Sequence, residues 1–364
     1  MLFDRRLLKN FDLWLVIICL LLVSAGIAAI YSATRLTDYS DLFVRQMMWA
    51  GAGLAVMLGM TFFNYRILKE WGYGIYIVSI IMLVGVLLFG KTALGAQRWF
   101  KLGPLSFQPS EFAKLAFIIV LAGYLTPEGM EKRKPAFQDL MVPVLLLFPL
   151  FILVLVQPDL GTAIVFVPVM LAMLLFAGFR AWQIFALLGA GCAFLPVAWT
   201  FLKDYQRTRL LVFLNPKLDP LGSGYHLIQS KITIGSGKFL GKGFLGGTQT
   251  QLRFLPKQHT DFIFTVIGEE FGFLGAIILL VLFMLLSYRA LKATSTRDMF
   301  GRLVVVGILT IIVFQVFVNM GMCIGLMPVT GLPLPFLSYG GSALLFTFAG
   351  IGLILNVRMR HFMF

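Results

Sequence analysis

Charge, glycine and a single terminal carboxylate fall together in one interval of this 364-residue chain, 203–261. It holds nine Lys or Arg against three Asp, and two of the chain's three His. With its many glycines, the interval combines a positive potential with a backbone that can approach a ligand closely. Such a stretch suits an anion at a membrane surface. Asp261, where the chain turns back into apolar sequence, is the candidate for the chemistry. Thr260 or Asp261 could equally cap a following helix, because a Thr-Asp pair before an apolar run serves well as an N-cap. A cap and a base are not exclusive.

The elements that position this interval are apolar. Hydrophobic residues make up 59% of the chain and charged residues 13%, with a mean hydropathy of +0.92. A soluble domain would carry roughly 25% charged residues. The long continuous runs match the ~20 residues an α-helix needs to cross a bilayer and exclude the short alternating segments of a β-barrel. We therefore expect an all-α integral membrane protein, a single polytopic domain over 1–364. It would have about ten transmembrane helices near 13–33, 43–63, 72–90, 109–126, 140–156, 160–178, 181–201, 262–287, 303–326 and 339–356. One large extracytoplasmic loop, 202–261, would join the seventh and eighth. The first run follows Arg5, Arg6 and Lys9 but is long for a secretory signal and lacks a clear cleavage site, so it is kept as a span.

The net charge of +14 raises nucleic acid as a ligand, which its distribution argues against. Half of the 30 basic residues fall in short loops and ends on one side: Arg5, Arg6, Lys9, Arg66, Lys69, 132–134, Arg180, Arg289, Lys292, Arg297, Arg302, Arg358 and Arg360. That pattern sets topology and assigns both termini to the cytoplasm, with 202–261 outside.

Other candidates lie on the same outer side. In 91–110, Arg98, Trp99 and Lys101 share the face of the long loop, with Trp99 equally suited to be an interfacial anchor. Glu111 and Lys114, spaced i, i+3, share a helix face at the start of the fourth span, as a structural pair or as part of a site. Asp159, in the tight QPDLG turn, reads as a cap for the sixth span. Gln315 and Asn319 stand one turn apart in the ninth span and are expected to bond between helices. The Pro- and Gly-rich MPVTGLPLPFLSYGGS segment cannot run as a straight helix and is expected to line the outer vestibule. The stretch around Tyr225 to Ile234 reads as an amphipathic helix lying on the membrane. Cys19, Cys192 and Cys323 sit in apolar runs as core residues, with no disulfide or ligand spacing. The Gly-rich run 235–243 lacks the ending and the preceding strand of a nucleotide loop, but suits a flexible basic loop beside a diphosphate. No acidic pair or His spacing demands a metal.

AQRWFKLGPLSFQPSEFAK, QPDLGT, GYHLIQSKITIGSG, FLPKQHTDFIF and LPLPFLSYGGS occur in this order. Together they resemble the SEDS family of cell-wall glycosyltransferases, its elongation branch more than its division branch, over about residues 10 to 358. The resemblance implies an inverting peptidoglycan glycosyltransferase of the bacterial inner membrane that polymerises lipid II onto a nascent glycan strand. It also implies a class B penicillin-binding protein as partner, besides membrane lipid. The family's essential aspartate falls on Asp261, and its Glu and Lys fall on Glu111 and Lys114. Where the family reads Leu-Pro-Glu, this chain has Lys257, which adds positive charge where a diphosphate would lie.

The residues agree with what the resemblance implies. A sugar hydroxyl needs a base, and a diphosphate leaves without a strong acid once cations meet its oxygens. Asp261 would then be the base on the 4-hydroxyl of the acceptor. Arg98, Lys114, Arg207, Arg209 and Lys231 are candidate diphosphate ligands, and His259 either packs in the turn or orients Asp261. No cofactor is required; a divalent cation, Mg or Mn, is compatible with a diphosphate. A flippase for the same lipid and a non-catalytic scaffold are the rival readings.

Overall fold

In hydrocarbon every backbone amide and carbonyl must be satisfied within the protein, so the apolar runs close their own hydrogen bonds as helices. The computed structural model describes residues 10–37, 39–93, 96–102, 105–126, 135–201, 203–220, 222–252 and 254–361. Arg5, Arg6, Lys9, Asp38 and the basic run 132–134 lie outside the described residues, as does the side chain of Lys101.

In chain order the helices are α1 (Leu13–Thr34), α2 (Leu42–Phe62), α3 (Arg66–Phe89), α4 (Pro109–Tyr124), α5 (Met141–Val156), α6 (Leu160–Phe176) and α7 (Ala181–Phe201). Then come α8 (Asp204–Leu214), α9 (Ser223–Ser236), α10 (Thr248–Gln251), α11 (Ile263–Glu270), α12 (Gly272–Leu291), α13 (Met299–Ile324) and α14 (Gly341–Met359). Among the described residues seven segments, comprising α1, α2, α3, α5 with the short turn before it, α12, α13 and α14, are long and apolar enough to cross a membrane. The shorter α4 and α6, with α7, occupy the other three expected positions. The apolar stretches of α13 and α14 are 78% and 72% buried inside the protein, against 22% for α2 and α12. The first two are therefore the central posts, and the other two face outward. A wide apolar groove of about 980 Å³ runs between α12 and α13, lined by Phe283, Met284, Val316, Phe317 and Met320 among others.

The two faces of the bundle are distinguished by contacts. At one, Asp12 caps α1 through Leu15 N (3.3 Å) and pairs with Arg289 (3.6 Å) and Arg358. The described ends of the chain thus share a face, and three helices are stapled there through two arginines the sequence had assigned only to topology. The Asp261 turn lies at the opposite face, beside the segment that follows α1.

The structure differs from the sequence expectations in four places. The loop after α3 is not coil but a small antiparallel sheet, β1 (Lys91–Ala93), β2 (Ala96–Leu102) and β3 (Leu105–Phe107), in the order β1-β2-β3. The eighth span is two helices, broken between Glu270 and Gly272. The loop backbone makes the break tolerable: Phe273 N and Leu274 N donate to Lys238 O and Phe239 O (3.0 and 3.1 Å). In return Lys242 N and Gly243 N donate to Glu269 O and Glu270 O (3.0 and 2.9 Å), so four helix-end groups find partners. Glu269 fastens this loop from below, with its carboxylate accepting from Lys242 Nζ (2.7 Å), Gln249 N (2.8 Å) and Thr250 N (2.9 Å).

α9 is not a free amphipathic helix: one face of it is built into the bundle, with Ile228 and Ile232 on its exposed side. It packs against α11 and α13, buries Leu227, Ser230 and Thr233, and donates from Ser230 Oγ to Cys323 O at 2.6 Å. Its inward stripe carries small polar groups as well as leucine, which a periodicity read for apolar residues alone does not assign to a packed face. Finally, Cys192 is exposed on α7, while Cys19 and Cys323 are buried as expected.

Candidate active site

The turn that carries Asp261 is organised by one carbonyl. Lys257, at φ 56°, accepts from Thr260 N (3.1 Å), Phe262 N (3.4 Å) and Thr260 Oγ1 (3.3 Å). Neither Thr260 nor Asp261 caps α11: the N-cap is Phe262, with no side-chain cap bond. The capping alternative is thereby corrected, and the Asp261 carboxylate is left available for other work.

The turn is held from outside by its backbone. Asn319 of α13 is fully buried and donates from Nδ2 to Asp261 O (2.9 Å) and to Leu332 O (2.7 Å). Ser338 Oγ donates to Thr260 O (2.6 Å) while accepting from Leu334 N (2.8 Å), and Tyr339 N donates to His259 O (2.8 Å). Gln46 of α2 in turn holds Ser338 O (3.2 Å) and Gly340 N (3.3 Å). The Pro/Gly-rich segment after α13 is therefore an ordered support for the Asp261 turn. A Cβ built on Gly331 (φ 76°) would stand 3.5 Å from Asp261 Oδ2, so backbone lies against the carboxylate there.

Asp261 itself is half-buried. Burial raises its proton affinity above the ordinary carboxylate range, opposed by the charges of Lys257 and Arg209 and a bond from Thr260, with Asp159 a smaller influence in the raising direction. A carboxylate in such surroundings is a stronger base than a solvated one. His259 is partly buried between the rings of Tyr39 (6.0 Å) and Tyr339 (6.1 Å). Burial and Lys257 lower its proton affinity, so it is neutral at pH 7.

The remaining sequence candidates divide. Arg209 joins the site: it acts on Asp261 and approaches Val329 O at 3.5 Å. Arg98 does not point freely at it. Its guanidinium donates to Gln157 O (2.9 Å) and Pro158 O and pairs with Asp159 Oδ2 (3.5 Å), strapping β2 to the α5–α6 hairpin. Asp159 is the expected cap of α6, through Thr162 N at 3.2 Å. It also accepts from Gln108 Nε2 (3.3 Å), and its hairpin packs on the support segment, where a Cβ on Gly161 would meet Thr330 O at 2.7 Å.

Arg207 closes the carbonyl end of α7, on Trp199 O (3.1 Å) and Thr200 O (2.9 Å). Lys231 lies over Gly325 at the C-terminus of α13, where the helix dipole favours a cation. Glu111 and Lys114 form a buried ion pair (2.8 Å). The pair lines a cavity of about 20 Å³ with Gln315, Phe346 and Thr347, room for about one water and no sugar. Among the described residues no three His, Cys, Asp or Glu cluster as a metal cage. A divalent ion here would rest on Asp261 and phosphate oxygens together.

Residues 6–362 match the FtsW/RodA/SpoVE family of cell cycle proteins. The chain belongs to this family. The peptidoglycan glycosyltransferase MrdB of Escherichia coli K12 is 42% identical over 353 residues, covering 95% of this chain and 92% of that protein. Stage V sporulation protein E of Bacillus subtilis is 39% identical, with 95% and 96% covered. Among solved structures, a chain of a peptidoglycan synthase complex that coordinates polymerization and crosslinking superposes with a TM-score of 0.83 at 35% identity, covering 97% of this chain and 98% of that one. RodA of Thermus thermophilus superposes at 0.73 and 32% identity, with the same coverage. The FtsW/RodA/SpoVE fold thus extends over essentially the whole chain, including the segments that hold the Asp261 turn.

Sequence reasoning read Asp159 only as a cap and missed its electrostatic reach to Asp261; the signal was its place in the QPDLGT stretch. Lys257 was read as added positive charge where a diphosphate would lie, but not as a charge acting on Asp261, although it is the cation nearest in sequence to that residue.

Proposed function

We propose that this protein is a peptidoglycan glycosyltransferase that polymerises lipid II on the extracytoplasmic face of the bacterial inner membrane, with both termini cytoplasmic. One observation carries the reading. In a chain of this family, a half-buried carboxylate not used as a helix cap is gripped through its backbone carbonyl, with Lys257 and Arg209 in electrostatic reach. Asp261 takes the proton of the acceptor 4-hydroxyl as that oxygen bonds to the donor C1. The C1–O bond to the diphosphate breaks with inversion, and Lys257 and Arg209 meet the charge that leaves with it.

Arg98 and Asp159 hold the hairpin that backs the support segment. Glu111 and Lys114 act from within the bundle on its packing. A class B penicillin-binding protein is the partner, in keeping with a solved neighbour that belongs to a complex coordinating polymerization with crosslinking. The basic residues on the face opposite Asp261 support the orientation.

The test uses purified protein with lipid II in detergent, with and without the partner. Wild type should yield glycan polymer, and Asp261→Asn none, with melting and partner binding unchanged. Polymer from Asp261→Asn would remove the carboxylate from the mechanism. Movement of lipid II across vesicles by wild type that never polymerises it would favour a flippase.

A further inference from the structure

Resting on that reading, a residue outside every motif role above stands within the same site. His226 is the fourth residue of α9, one turn before Ser230 and two before Thr233, on the stripe that α9 turns toward α11 and α13. Its ring lies 6.4 Å from that of Phe262, the neighbour of Asp261, and 6.0 Å from that of Tyr225. Lys257 and Arg209, the two cations that act on Asp261, also act on His226. The remaining charge near it, Asp219, is occupied: its carboxylate accepts from Gly222 N (3.0 Å) and Ser223 N (2.7 Å) at the start of α9.

Among the described residues Nδ1 of His226 is buried with no hydrogen-bond partner. Because the residue as a whole is half-buried, the accessible edge is the opposite one, Nε2. A second proton on the ring would be buried without an acceptor and would sit among cations. Burial, Lys257 and Arg209 accordingly depress its proton affinity, against Asp219. The ring is therefore neutral, with its single proton on Nε2 as an accessible donor.

We propose that His226 is a ligand of the polyprenyl diphosphate, donating its Nε2–H to a phosphate oxygen as a neutral imidazole alongside Lys257 and Arg209. As the C1–O bond breaks, its electron pair passes to the diphosphate oxygen and the acceptor proton goes to Asp261. His226 neither gains nor loses a proton. It offers a donor whose strength does not change across neutral pH, as other neutral histidines do beside developing negative charge.

The test separates donation from packing. His226→Gln keeps an N–H at comparable reach, whereas His226→Phe keeps the ring against Phe262 and removes the donor. In the full-length protein, His226→Phe should bind undecaprenyl diphosphate about 10- to 100-fold less well and polymerise lipid II about 10- to 100-fold more slowly, the usual range for a hydrogen bond to a charged group. His226→Gln should stay within a few-fold of wild type, and the ratio of wild type to His226→Phe should be flat from pH 7 to 8. The reverse order, Phe active and Gln inactive, would make the ring a packing element and overturn the proposal. So would a ratio that grows as pH falls, which would mean the ring is charged. Equal binding by wild type and His226→Phe defeats this proposal alone, while no binding by wild type defeats the diphosphate reading and this proposal with it.

Discussion

Replacing Asn319 with leucine tests whether the Asp261 turn is held from α13. The two side chains have nearly the same shape, so the change removes donors without opening a cavity. What it leaves is two enclosed carbonyls, Asp261 O and Leu332 O, deprived of bonds of 2.9 and 2.7 Å. Each orphaned carbonyl costs about 1–3 kcal/mol, so the local arrangement should lose about 2–6 kcal/mol. At about 1.4 kcal/mol per factor of ten, this corresponds to a shift of about 30- to 20,000-fold away from the held turn. Part of that is absorbed by the Ser338 and Tyr339 bonds that grip the same turn. We therefore expect kcat for lipid II polymerisation to fall about 10- to 100-fold, with a smaller change in KM and a lowered melting temperature. Asn319→Asp should do no better, since a carboxylate donates nothing. Full activity and unchanged melting for Asn319→Leu would refute the claim that this residue positions the carboxylate.

Three further outcomes follow from the same geometry. Lys257 holds down the proton affinity that burial raises at Asp261, and the base works only when ionised. Lys257→Gln should therefore move the acid limb of the kcat/KM profile to higher pH; a limb that stays put or moves down contradicts the assignment. Removing one member of the buried Glu111–Lys114 pair should lower stability by about 3–5 kcal/mol, whereas Glu111→Leu with Lys114→Met should recover much of the loss in a melting experiment. Gly272→Ala, at φ 63° with the new Cβ 2.4 Å from Gly241 N, should destabilise the protein more than Gly51→Ala, whose Cβ meets nothing; equal melting of the two would show the break to be soft.

Much of this arrangement was legible in the residues, for identifiable reasons. Apolar runs of bilayer length mark most of the helices, because in lipid no other structure satisfies an isolated segment. Asp261 stands out because acidic residues are scarce near it and cations are not, and Glu111 with Lys114 because i, i+3 spacing fixes a shared face. The break at Gly272 was hidden because hydropathy runs on through it, and it exists only because residues 238–243, far back in sequence, supply the backbone partners. The sheet after α3 was hidden because three short strands in a Gly-containing loop resemble coil. Arg98, Arg207 and Lys231 look alike as positive charges, yet the fold uses Arg98 and Arg207 on carbonyls and lays Lys231 over the end of α13. Only three-dimensional packing distinguishes them from Arg209.

Gly241 and Gly272 touch, and backbone bonds run both ways between residues 238–243 and the ends of α11 and α12. The loop is thus a splint inside a transmembrane rod. A load applied to it from outside reaches the lipid-facing α12 and the aspartate turn at once, with no side chain as go-between. Epitope tags or cysteine labels inserted at 238–243 would therefore disturb the bilayer-embedded part.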